Sequence, residues 1–253
     1  MSVSLTSLVK YCEELLNVKE FKDYCPNGLQ VEGASTVRRI ISGVTASQAL
    51  LDVAVKYDAD LVLVHHGYFW RGEDERVTGM KKQRLKTLLT HDISLLGYHL
   101  PLDAHPELGN NATLAKRMGW IITEGLDGPL GRAIGMVGEL STPMSGQALA
   151  AQLAQALGRE PLYIQGIDRA IKKVAWCTGG AQGYIDKALA AGVDAYISGE
   201  VSEPTYHFAK EMGIEYFAAG HHATERYGVQ ALGEHLSKRF DIEHRYIELD
   251  NPT

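Results

Sequence analysis

The sequence holds only three cysteines, Cys12, Cys25 and Cys177, and no pair of them has the spacing of a thiolate metal site. So sparse and odd a set argues against a disulfide framework and suits a reducing cytoplasm. Long apolar runs are missing too: none approaches the ~20 residues needed to cross a bilayer. The opening Met1-Ser2-Val3-Ser4-Leu5 lacks the basic stretch and apolar run of a signal peptide. There is no excess of positive charge. The formal net charge is −6, and no arginine-rich arm is present, which weighs against tight binding to a nucleic-acid backbone. One basic cluster, Lys81-Lys82-Gln83-Arg84-Leu85-Lys86, reads as a solvated helix face, with an anion-attracting rim as the functional alternative.

What remains is an ordinary globular composition, 45% hydrophobic and 22% charged over 253 residues. That length suits one large or two modest α/β domains with ample core. Short apolar runs at 39–45, 60–65, 93–99, 133–140, 173–178, 195–199, 215–219 and 244–249 read as strands. Helical patterns fall at 5–16, 47–57, 83–91, 111–117, 145–157, 183–191, 204–212 and 225–239. Strands of about six residues alternating with helices of about ten predict an α/β fold with much parallel pairing. A weak internal repeat joins Gln48, Asp52, Ala54 and Asp60 to Gln182, Asp186, Ala188 and Asp194. It predicts either two related half-domains or merely the likeness of any two strand–helix–strand units. The glycine- and proline-rich stretch 123–131 reads as a linker. The expectation is therefore two related, three-layer-like α/β domains, 1–125 and 126–253, with a metal cleft between them.

Two segments carry the chemistry. Leu61-Val62-Leu63-Val64-His65-His66 is an apolar strand that ends in adjacent histidines. Tyr216-Phe217-Ala218-Ala219-Gly220-His221-His222-Ala223-Thr224-Glu225 repeats the design and adds a carboxylate. Open α/β sheets present ligands at the carboxyl ends of their strands, and imidazole suits a metal site there. Adjacent strand residues point to opposite faces, so a turn at Gly67 is needed for His65 and His66 to serve one site. His221 and Glu225 are four apart and share a face if helical, whereas His222 points elsewhere. Asp103, in a loop fixed by Pro101 after another strand, offers a hard oxygen ligand, or else a turn-capping aspartate. His99 and Glu200 are candidates for moving protons, as catalytic rather than ligating groups.

His65, His66, Asp103, His221 and Glu225 thus form a mixed nitrogen and oxygen set without thiolate. It suits iron, zinc, manganese or nickel, and five ligands shared by two ions leave positions open for water. Weaker features are the aromatic run Tyr68-Phe69-Trp70-Arg71, able to stack on a planar ring, and the Thr178-Gly179-Gly180-Ala181 turn, able to cradle an anion. His207 and His244 read as surface or core residues.

Pro26-Asn27-Gly28-Leu29-Gln30-Val31, Val64-His65-His66-Gly67, His99-Leu100-Pro101-Leu102-Asp103 and Gly220-His221-His222-Ala223-Thr224-Glu225 together resemble the Nif-three-like family, the GTP cyclohydrolase 1 type 2 homologues, and within it the YbgI-type dinuclear metal-binding members. The resemblance spans essentially the whole chain. It implies two α/β domains and a dinuclear centre with His66 and Asp103 on one ion, His65 and His221 on the other, and Glu225 bridging. It also implies a ring-shaped homohexamer. The functional expectation is a cytoplasmic hydrolase with two divalent metal ions per subunit, opening a nucleotide or related heterocycle with a metal-activated water. The alternative is a metal-handling or assembly protein with little catalysis.

Overall fold

The computed structural model describes residues 1–253. In chain order its elements begin with β1 (Val3–Ser4), α1 (Leu5–Leu15), β2 (Gly28–Val31), β3 (Thr36–Val37), β4 (Arg39–Thr45), α2 (Gln48–Lys56), β5 (Leu61–His66), α3 (Gly79–Thr90), β6 (Ser94–Gly97), α4 (Leu100–Ala104) and α5 (Asn110–Met118). They continue with β7 (Ile121–Gly125), β8 (Met136–Met144), α6 (Gly146–Leu157), β9 (Leu162–Ile164), β10 (Ile171–Cys177), α7 (Ile185–Ala190), β11 (Ala195–Ser198), α8 (Glu203–Met212), β12 (Glu215–Ala218), α9 (His221–Phe240) and β13 (Glu243–Tyr246). No helix is long and apolar enough to cross a membrane.

The chain divides into two compact units, Met1–Leu102 with Gly228–Asp250, and Asp103–Tyr227 with Asn251–Thr253. The division differs from the boundary expected near residue 125. The glycines of 123–131 serve a hairpin rather than a linker: β7 pairs antiparallel with β8, and a Cβ on Gly125 would lie 2.3 Å from the Gly128 carbonyl oxygen. Asp103 therefore belongs to the second unit. The last strand, β13, returns to the first unit and pairs parallel with β4.

In the first unit the strand order is β13-β4-β5-β6-β2, with only β2 antiparallel to its neighbour. The central strands read as unbroken apolar runs because both faces are covered. Val62, Val64 and Leu95 pack on Leu50, Leu51 and Ala54 of α2 and Leu88 of α3. Ile40, Leu61, Leu63 and Leu96 on the alternate positions are equally buried. Helix α2 starts where the Ser47 hydroxyl accepts the Leu50 amide at 3.3 Å, satisfying an otherwise orphaned donor.

In the second unit the order is β7-β8-β10-β11-β12-β9, with β10, β11 and β12 parallel. One face carries Val174, Trp176, Ile197 and Phe217 against Leu149, Leu153 and Leu157 of α6. The other carries Ala175, Cys177, Tyr196 and Tyr216 against Ile185 and Ala188 of α7 and Ala209 of α8. This is the helix–sheet–helix layering expected from the alternating pattern.

The internal repeat is real in detail. Each unit holds an antiparallel edge strand followed by three parallel strands, β2-β6-β5-β4 in the first and β9-β12-β11-β10 in the second. Asp60 Oδ2 accepts the amides of Arg38 and Arg39 at 2.7 and 2.9 Å. Asp194 Oδ2 accepts those of Lys172 and Lys173, both at 2.9 Å. Gly33 and Gly166 also match: a Cβ on either would strike the backbone, at Asp92 and at Gly213–Ile214. Likeness of generic units does not extend to such side-chain bonds, so the half-domain alternative holds.

Candidate metal centre

Each unit carries its own set of donors. In the first, the His65 and His66 rings lie side by side at the end of β5, centroids 4.6 Å apart and tilted by 44°. The turn after them depends on glycine, as the sequence suggested, but for a different reason. Gly67 has no positive φ; a Cβ there would stand 2.1 Å from Gln30 Oε1. That oxygen accepts the Tyr68 amide at 2.7 Å, so the Gln30 side chain shapes the strand end.

His65 is fully buried, and its Nδ1 lies 2.9 Å from the Tyr98 carbonyl oxygen. A carbonyl only accepts, so Nδ1 holds the proton and Nε2 carries the lone pair. His66 Nδ1 lies 3.3 Å from the Thr45 hydroxyl. His99 completes the cluster, its ring 5.2 Å from His65 and 5.9 Å from His66. These three imidazoles have ring nitrogens close enough to share an ion.

His99 is tied down by a residue the sequence did not single out. Asp23 Oδ1 lies 2.7 Å from His99 Nδ1, while Asp23 Oδ2 accepts the Leu100 amide at 3.0 Å and the Asn27 amide group at 2.8 Å. Burial alone would raise the Asp23 pKa, but the hydrogen bonds from His99, Asn27 and the Tyr24 amide, with the imidazole's charge, bring it down to about 2. The aromatic run divides its duties. Tyr68 is core, its hydroxyl on the Ala46 carbonyl at 2.9 Å, whereas Trp70 stands edge-on to His99 with centroids 5.0 Å apart.

In the second unit, Asp103 sits in the short helix α4, not in the loop expected from Pro101. Pro101 is at the second helical position, where its missing N–H costs nothing. Asp103 is buried, and its Oδ1 accepts Asn110 Nδ2 at 2.8 Å and the Thr178 hydroxyl at 3.4 Å. Asn111 braces the same corner, donating to the Asp103 and Ile134 carbonyls and accepting the Thr178 amide. Neither asparagine was legible as functional, since Asn111 opens a plain helical pattern and Asn110 stands just before it.

Helix α9 begins at His221, four residues earlier than the sequence pattern suggested. His221 and Glu225 share its first turn with Nε2 and Oε2 3.0 Å apart, the geometry their spacing implied. His222 is buried, and its amide donates to the Thr253 carbonyl. Glu200 was expected to move protons; it is placed instead behind His221, its Oε1 2.7 Å from Nδ1. Burial would lower the His221 pKa, but Glu225 and Glu200, by hydrogen bond and charge, outweigh it and raise it to about 9. The Thr178–Ala181 turn is no anion cradle. A Cβ on Gly179 would lie 1.9 Å from Glu225 Oε1, and one on Gly180 3.4 Å from the Glu200 carboxyl. Gly179 has φ +70° and must be glycine for that carboxylate to approach.

The donor chemistry fits divalent cations. His65, His99 and His221 each turn Nδ1 to a carbonyl or carboxylate, the outer arrangement that accompanies metal-bound histidine, and in His221 the other nitrogen faces the Glu225 carboxylate. Glu200→Gln is expected to weaken metal binding ~10–100-fold with the fold intact, because Glu200 is exposed and acts through His221. Titration against a competing chelator reads this directly, and unchanged affinity would show that Glu200 has no such part.

Across the chain the sequence matches the DUF34/NIF3 (NGG1p interacting factor 3) family over residues 3–252. The protein belongs to this family. It is similar to the GTP cyclohydrolase 1 type 2 homolog of Pseudomonas aeruginosa, 60% identical over 253 residues and all of both chains. It is 52% identical to that of Escherichia coli K12, over 98% of this chain and 99% of the relative. Among solved structures, the protein ybgI, described as of unknown function, superposes with a TM-score of 0.95 at 51% identity, covering 99% of this chain and 100% of that one. A protein of Thermus thermophilus gives a TM-score of 0.88 at 33% identity, again over 99% and 100%. As a DUF34/NIF3 member the chain has the two-unit α/β architecture and the His, Asp and Glu groups from which the family resemblance was read.

Proposed function

We propose that His65, His66, Asp103, His221 and Glu225 hold two divalent ions, and that the protein is a metal-dependent hydrolase of a nucleotide or related heterocycle. The observation that carries this reading is the chemistry of the donors: imidazoles with Nδ1 committed to acceptors, and two buried carboxylates, Asp103 and Glu225. Ions in such a set supply Lewis acidity and a water acidified towards neutral pH. The chain's own residues do the rest. Glu225 and Asp103 contribute the negative charge that imidazoles lack. Glu200 orients His221, and Asp23 orients His99, whose remaining nitrogen is free to exchange a proton with substrate. Trp70 offers a flat apolar face beside His99, suited to a planar ring.

The name of the relatives, GTP cyclohydrolase 1 type 2 homolog, makes GTP the first compound to test, with iron, zinc, manganese and nickel as the metals. The family resemblance further supports a homohexamer working in the cytoplasm on a small molecule, apart from membranes. The test is a metabolite-depletion screen with protein purified without chelator, GTP included. A nucleotide or related heterocycle consumed only by metal-loaded protein is the expected result. Metal-replete protein that consumes none of them would contradict the hydrolase reading and leave metal handling in its place.

A further inference from the structure

Cys25 is the one cysteine outside the core. Cys12 is fully buried, and Cys177 is buried with its Sγ on the Ile134 carbonyl. Cys25 lies two residues after Asp23, and its Sγ, an Asp23 carboxylate oxygen and a His99 ring nitrogen all fall within 4.8 Å of one another. We propose that Asp23, Cys25 and His99 form a separate, thiolate-bearing site for a divalent ion of the zinc class.

Three observations carry the assignment. First, the donor types are a soft sulfur, an imidazole and a carboxylate, the combination that zinc and its chemical stand-ins take in fourfold coordination, with one position left for water. Tetrahedral bonds of ~2.0–2.3 Å place ligand atoms about 3.3–3.8 Å apart, so these three need close in by about 1.5 Å at most. The Asp23–His99 contact, 2.7 Å, would open by somewhat less.

Second, the segment is held in shape from several sides. Arg71 donates to the Asp23 carbonyl through its guanidinium and to the Tyr24 carbonyl through its amide, at 2.8 and 2.7 Å. Gln30 donates to the Pro26 carbonyl at 2.8 Å, and Asn27 Oδ1 accepts the His99 amide at 2.7 Å. Such support leaves little ordering entropy to lose on binding.

Third, the donors suit a cation: the hydrogen bonds around the Asp23 carboxylate leave out the Cys25 thiol. On binding, the thiol releases its proton to solvent and the thiolate becomes a ligand. His99 would then bind through the nitrogen facing Asp23, leaving its other nitrogen towards His65 and His66. The site shares Asp23 and His99 with the hydrolase reading, but its sulfur is absent from the other donor set, so a thiolate signal reads this site alone.

The test is cobalt(II) titration of the full-length, metal-stripped protein, followed by absorption spectroscopy and metal analysis. The parent protein is expected to show a near-ultraviolet thiolate-to-cobalt charge-transfer band. Cys25→Ser and Cys25→Ala should each lose the band and one bound cobalt per chain, while retaining the ions held by the histidine and carboxylate set. No band at saturation in the parent, or a band that survives both substitutions, would overturn the proposal. Parent protein showing the band but no hydrolysis would count against the proposed function alone.

Discussion

Replacing His65 with alanine will strip the protein of metal and of any metal-dependent turnover. Removal of an outer partner of a metal ligand typically costs ~10–100-fold in affinity, so loss of the ligand itself is expected to exceed ~100-fold. His65 is fully buried at the end of β5, so alanine there leaves a gap that solvent-exposed side chains do not line. The fold should survive, since Leu61, Val62, Leu63 and Val64 keep the strand in place. Circular dichroism and metal analysis on the same sample separate the two effects. A folded His65→Ala protein with undiminished metal content and turnover would be incompatible with a ligand role. Glu225→Gln should behave in the same way, because the amide keeps the shape of the side chain and loses the charge.

Trp176→Ala should be the most destabilising single change. Trp176 is fully buried, packs on Trp120 at 5.0 Å between centroids, and donates from Nε1 to the Asn111 carbonyl at 3.0 Å. Truncation leaves a cavity where a large ring stood, and such changes cost ~3–5 kcal/mol. In a chain of this size the corresponding fall in melting temperature is roughly 6–20 °C. Asn111 also braces Asp103 and Thr178, so the loss of the indole should loosen the Asp103 corner and lower metal affinity as well. Denaturant unfolding with and without added metal measures both effects; a shift below about 1 kcal/mol would show that the core closes over the gap.

The parallel strands were legible because they are buried on both faces and announce themselves as apolar runs; β4, β5, β10, β11 and β12 all fall where those runs lie. His65 and His66 were legible for the same reason, as polar residues ending such a run. The edge strands β2 and β9 were not, being three or four residues long and, in β9, half exposed. The 123–131 stretch misled because glycine and proline mark a hairpin turn and a linker alike; only the pairing of β7 with β8 decides. The return of β13 to the first unit rests on pairing with a strand about 200 residues away, which no local pattern encodes.

In the candidate site the residues that point outward from strand ends were readable, and those that hold them were not. Asp23, Asn110, Asn111 and Gln30 act through hydrogen bonds to partners distant in sequence, and a lone polar residue in a loop or helix gives no sign of that. Glu200 was read as a candidate for moving protons, but its contact with His221 Nδ1 depends on geometry alone. The repeat itself proved firmer than its few identities suggested, because Asp60 and Asp194 make the same bonds at the same strand starts.

The central claim is that five residues make a two-ion centre. Metal analysis of Cys25→Ser protein purified without chelator tests it most directly, since that variant keeps all five proposed ligands and removes the one cysteine outside the core. The account predicts two divalent ions per chain, falling on the further substitution Glu225→Gln. A Cys25→Ser protein that binds no divalent ion, or binds the same number with and without Glu225, would contradict it.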